Sequence, residues 1–91
     1  MPFVYIVRCA DGTLYTGWTT DLDRRIAQHN AGRGARYTRQ HRPVTLVYSE
    51  EQPDRGSAMR RELAIKRYDR SRKERLIVGA DDETHHPDPM L

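Results

Sequence analysis

Apolar and polar positions change period along the chain. From Phe3 to Cys9 the residues are largely β-branched or aromatic, and Thr13 to Gly17 is a second extended run, separated from the first by Ala10-Asp11-Gly12. The two runs predict a β-hairpin whose loop length decides which side chains share a face. A two-residue Asp11-Gly12 turn would put Tyr5 and Tyr15 on opposite faces. A three-residue loop with Gly12 in the left-handed region instead pairs Cys9 with Thr13, Val7 with Tyr15 and Tyr5 with Gly17. In that register Tyr5, Val7 and Tyr15 lie on one face, and Val4, Ile6, Leu14 and Thr16 on the other. Each face then has apolar groups to cover, so helices are expected on both sides.

Beyond the hairpin, Thr20 or Asp21 can cap a helix that ends near Asn30 and Gly32. Arg25 and His29 lie one turn apart on it, beside the apolar pair Leu22 and Ile26. Arg33 to Arg42 reads as a loop in which Tyr37 and His41 are interleaved with four arginines. Pro43 opens a third strand, Val44 to Ser49. Pro53 and Asp54 start a second helix that runs to about Arg70, and Ser71 can cap a third that ends near Gly79. The expected fold is α/β: a small three-stranded, largely antiparallel sheet flanked by about three helices. One domain spans 1–79, and 80–91 is expected to be a disordered acidic tail.

Charge changes the picture more than length does. Of the 13 acidic residues, four (Asp81, Asp82, Glu83 and Asp88) fall in the tail, so residues 1–79 hold all 16 basic residues against nine acidic ones. So basic a domain attracts polyanions, nucleic acid first among them. Mean hydropathy is -0.91, and Arg8 interrupts the apolar opening before it could serve as a signal segment or membrane span. Cys9 is the only cysteine, which excludes an intramolecular disulfide and a thiolate metal cluster. A cytoplasmic monomer or weak homodimer, without a membrane partner, is expected.

One residue breaks the pattern of the second helix. With Ala58 at 0°, Glu62 falls at about 40° and Ile65 at about 340°, inside the apolar stripe, while Met59 lies at about 100°. A carboxylate there needs a partner. Lys66 at i+4, an arginine reaching across the core, or a divalent cation would each serve. Mg²⁺ is often held by one or two carboxylates together with waters and substrate phosphate.

Phe3-Val4-Tyr5, a short hairpin, Tyr15-Thr16-Gly17, Arg25 and His29 on a helix and Glu62 on a later one together resemble the GIY-YIG nuclease family, in particular its small single-domain members. The resemblance extends to about Gly79. Phe3 stands where the family name has glycine, Thr16 replaces isoleucine, and Trp18 occupies a place where the excinuclease relatives have lysine. It implies metal-dependent cleavage of DNA phosphodiester bonds, with branched or nicked DNA as the expected substrate and Mg²⁺ (or Mn²⁺) on Glu62. It also implies catalytic roles for Tyr5, Tyr15, Arg25 and His29. Gly17, Arg33, Arg36, Tyr37 and Arg39 are expected to meet the nucleic acid, with RNA not excluded as a substrate. Arg25 suits a clamp on phosphoryl oxygens, because its fork is planar and permanently charged. The general base stays open among Tyr15, Tyr5 and His29. A module of the same fold that binds nucleic acid but cuts it weakly or not at all is the alternative.

Overall fold

The computed structural model describes residues 1–79, so the acidic tail expected at 80–91 lies outside the described residues. Three antiparallel strands, β1 (Phe3–Arg8), β2 (Leu14–Thr19) and β3 (Thr45–Glu51), form one sheet in the order β2-β1-β3. Four helices accompany it: α1 (Leu22–Asn30), α2 (Arg36–Gln40), α3 (Arg55–Lys66) and α4 (Arg70–Ile77).

The hairpin has the register that the three-residue loop requires. Val7 pairs with Tyr15 and Tyr5 with Gly17, the amide of Gly12 donates to the Cys9 carbonyl at 2.9 Å, and Gly12 has φ 88°. Two cores follow from the alternation of β1. Val4 and Ile6 point to one side and bury with Ala58, Ile65 and Leu76 from α3 and α4. Tyr5, Val7 and Cys9 point to the other and bury with Val44, against Tyr15 and the α1 residues Leu22 and Ile26. A bulge in β3 between the partners of Ile6 and Val7 turns both Val47 and Tyr48 toward the first core.

Two segments differ from their sequence reading. The stretch 33–42, read as a loop, contains the helix α2. Five residues with no side-chain cap do not hold a helix by themselves. Tertiary contacts hold it: Thr38 is fully buried, and the Tyr37 hydroxyl donates to Thr13 Oγ1 at 2.6 Å. The second difference is that the helix expected to reach Arg70 stops at Lys66. Asp69, rather than Ser71, caps α4 by accepting from the Arg72 amide at 2.8 Å.

Candidate active site

β2 is an edge strand, and α1 and α3 flank it on opposite faces of the sheet. Asp21 starts α1 by accepting from the Arg24 amide at 3.1 Å, and Gly32, at φ 81°, follows its end. The Asn30 side chain then clasps the backbone of Val44 through both its amide and its carbonyl, at 3.1 and 2.7 Å. This fixes α1 against the strand that follows, and with it the direction in which Arg25 and His29 project.

His29 is fully buried at the centre of a polar chain. Its Nε2 is 2.7 Å from the Tyr5 hydroxyl and its Nδ1 is 2.7 Å from Thr38 Oγ1. Donor counting sets the tautomer. Thr38 spends its only hydroxyl proton on the Ala35 carbonyl at 2.9 Å, so it accepts from His29 Nδ1–H. Nε2 therefore carries the lone pair and accepts the Tyr5 proton. The Tyr5 oxygen in turn accepts from Arg25 Nε at 3.4 Å. Burial, reinforced by the nearby Arg25 charge, lowers the His29 pKa to about 4, so the ring is neutral near pH 7. Burial also raises the Tyr5 pKa, with Arg25 pulling the other way and the charges of Tyr15 and Glu62 adding to the rise.

Two glycines let this chain close. A Cβ on Gly17 would lie 2.5 Å from the Tyr5 hydroxyl, and one on Gly34 would lie 2.2 Å from His29 Nδ1. Gly17 thus admits the phenol beneath the edge strand, and Gly34 admits the imidazole beneath the segment leading into α2. Neither Gly34 nor Thr38 stood out in the sequence. Their role depends on a loop folding back over His29, and nothing in their local pattern announces it.

Tyr15 shares the face but not the burial. It is half-buried, it meets the His29 ring edge-on at a centroid distance of 5.5 Å, and its hydroxyl has no hydrogen-bond partner among the described residues. Glu62 arrives from α3. Its side chain is 17% exposed, and Lys66 Nζ lies 3.3 Å from its carboxylate and 5.9 Å from the centre of the Tyr15 ring. One ammonium group therefore meets both the carboxylate and the face of the Tyr15 ring. Among the described residues no group of three His, Cys, Asp or Glu side chains converges. Glu62 alone could hold a cation, which suits Mg²⁺ or Mn²⁺ with waters and substrate oxygens completing the shell.

The remaining sequence candidates lie around this centre. Arg33, Arg36 and Arg39 are exposed near and on α2 and form no salt bridge among the described residues. Tyr37 is 39% exposed, but its ring already stacks on His41 with centroids 4.2 Å apart. It is less free to stack a base than its sequence neighbourhood suggests.

Known proteins match the chain over nearly all of the described fold. The family model for the GIY-YIG catalytic domain matches residues 1–75. A UPF0213 protein of Halobacterium salinarum is 54% identical over 77 residues, covering 85% of this chain and 100% of its own length. Another, from Desulfotalea psychrophila, is 56% identical over 80 residues, covering 87% of this chain and 73% of its own. The solution NMR structure of the UPF0213 protein BH0048 from Bacillus halodurans has a TM-score of 0.55 at 39% identity, with 97% of this chain and 100% of that one covered. With the family model matched over residues 1–75 and relatives more than half identical along most of the chain, the chain belongs to the GIY-YIG nuclease family.

Proposed function

We propose that the protein is a divalent-metal-dependent endonuclease that hydrolyses DNA phosphodiester bonds, with branched or nicked DNA as the substrate. The observation that carries this reading is the grouping of Glu62, Lys66 and the unpartnered Tyr15 phenol beside an edge strand whose Gly17 covers a Tyr5–His29–Arg25 chain. Hydrolysis requires that a water lose a proton and that charge developing on the phosphoryl oxygens be stabilised. A divalent cation on Glu62 would supply Lewis acidity toward the phosphate and the leaving oxygen. Lys66 is 45% exposed and can swing away from Glu62 when such an ion takes its place. Arg25 clamps a phosphoryl oxygen with the part of its guanidinium that the Tyr5 and Gln28 contacts leave open. Among the three candidates for the base, Tyr15 is the one that can touch the attacking water. Tyr5 and His29 are buried and bonded to each other, so they position Arg25 and the Tyr15 ring.

The second reading, a binding module with little or no cleavage, draws on the Lys66 ammonium already seated on Glu62. Glu62→Gln separates the two. Because Lys66 is partly solvated, losing the pair should cost no more than about 1 kcal/mol of stability. An active enzyme should therefore lose Mg²⁺-dependent cleavage of a branched or nicked substrate while its Tm stays near the parent's. A Glu62→Gln protein that cuts at the parent rate would sink the assignment, and a parent that binds DNA without cutting any of a branched, nicked and linear panel would favour the second reading.

A further inference from the structure

Beside the site just described, at the end of β2, an open cleft of about 380 Å³ is lined by Trp18, Thr19, Asp21, Arg24, Arg25, Gln28 and Arg55. Its size is within the range of small-ligand sites, about 300–1,000 Å³. Its walls come from both sides of the sheet. Arg24, Arg25 and Gln28 belong to α1 and Arg55 to the start of α3, while Trp18 is half-buried on the edge strand between them, with part of its ring packed on the Val4–Ile6 core.

The lining combines exposed cations, a side-chain amide and an aromatic ring. Arg24 and Arg55 are exposed and meet no carboxylate among the described residues, so both cations are available to phosphate. The one acidic group, Asp21, is turned to the start of its own helix, accepting from the Arg24 amide. Gln28 gives its carbonyl to Arg25 Nη1 at 3.2 Å, which leaves its amide protons for an acceptor in the cleft. Trp18 supplies an aromatic surface, and every base has a π-face to lay on one. Arg55 and Glu62 are seven residues apart on α3, so they lie on one side of it and about 10 Å apart along the axis. That is a short step along a nucleic-acid strand.

We propose that this cleft is a subsite for one unpaired nucleotide next to the phosphate that is cut. The base lies against Trp18, and Arg24 and Arg55 hold its flanking phosphates. A base inside a perfect duplex is stacked on its neighbours and cannot reach Trp18. The subsite therefore selects DNA with an unpaired nucleotide beside the scissile bond, such as a flap, a gap or a frayed end. This rests on the nuclease reading and narrows its substrate class.

Trp18 is the sole tryptophan, so its emission reports on the cleft directly. The full chain is titrated, in chelator to prevent cleavage, with a DNA hairpin carrying a single-stranded overhang and with a blunt hairpin of equal phosphate count. The overhang should quench Trp18 and bind about tenfold tighter, in line with the loss usually seen when one stacking aromatic is removed. Trp18→Leu keeps apolar packing on the core and should erase the preference. If that variant unfolds, the exposed pair Arg24→Ala/Arg55→Ala carries the test and should weaken overhang binding about tenfold. Equal binding and equal emission for the two hairpins would overturn the proposal, as would a preference that survives the Arg24→Ala/Arg55→Ala change. Because no cleavage is read, these outcomes are independent of Glu62→Gln, which tests the nuclease reading itself.

Discussion

Arginines meet two different fates in this small domain. Toward α4 and β3, three of them are paired with carboxylates within the fold. Arg61 lies 2.7 Å from Glu50, and Arg8 and Arg70 converge on Glu74 at 2.9 and 3.0 Å. Those two cations hold the Glu74 pKa down to about 2. Along α1 and the β2 edge the arginines meet no carboxylate among the described residues. Arg25 ends on the neutral oxygens of Tyr5 and Gln28, and Arg24 and Arg55 meet no carboxylate among the described residues. An arginine that already has its carboxylate contributes to cohesion. One held only by neutral oxygens keeps its field for an anion that arrives from outside. The contrast separates arginines paired within the fold from arginines left open to an anion, a distinction that net charge alone does not draw.

The sharpest way to break the contrast is Arg25→Ala. If Arg25 stabilises charge in the transition state, cleavage should fall by about 10²–10³-fold while Tm changes little. A fall of less than about threefold, measured as kcat on a substrate the parent cuts, would place Arg25 with the structural arginines.

Acid should separate the two faces next. An unfolded chain protonates His29 near its ordinary pKa of about 6.5, whereas the fold resists until about 4. Between those values the unfolded chain binds the extra proton. Stability should therefore be complete above pH 6.5 and decline toward pH 4, by up to about 3 kcal/mol. Glu74 stays ionised in the fold through that window, and most of its own contribution is lost lower, between its ordinary value of 4.5 and about 2. Urea unfolding at pH 7 and pH 4 checks this, and in His29→Gln the decline should be much smaller. An equal decline in both proteins would mean that the buried chain is not the acid-sensitive element.

Substitutions on the opposite side should give the converse result at smaller magnitude. Arg61→Ala leaves the part-buried Glu50 without its guanidinium, and a loss of about 1–3 kcal/mol is expected with cleavage per folded molecule unchanged. Arg8→Ala touches a pair that is about one-third exposed at each end, so about 1 kcal/mol or less should go. A Tm series with cleavage measured on the same preparations would show whether stability and activity sort by face.

The local pattern was enough for the hairpin, because a period of two and one glycine able to take positive φ leave few registers open. Val7 therefore opposes Tyr15, as the three-residue loop requires. The pairing of Glu62 with Lys66 could likewise be read from helical spacing, since i and i+4 are neighbours on any helix. Repeating geometry makes both legible: each depends on residues a fixed few steps apart.

What only the tertiary structure decided joins residues across the chain. Arg36–Gln40 is too short and too weakly capped to be helical by its own preference, and it becomes so because Thr38 is buried against His29 and Tyr37 reaches Thr13. The tautomer of His29 follows from Thr38 and Ala35, nine and six positions away, through a hydrogen bond that no spacing rule predicts. Trp18, Arg24 and Arg55 come to one cleft only because α1 and α3 close on the same edge strand from opposite faces. Composition determined that the domain is basic. Which of its cations are neutralised and which remain open was settled by folding, which brought carboxylates within about 3 Å of Arg8, Arg61 and Arg70 and, among the described residues, none within pairing distance of Arg24 or Arg55.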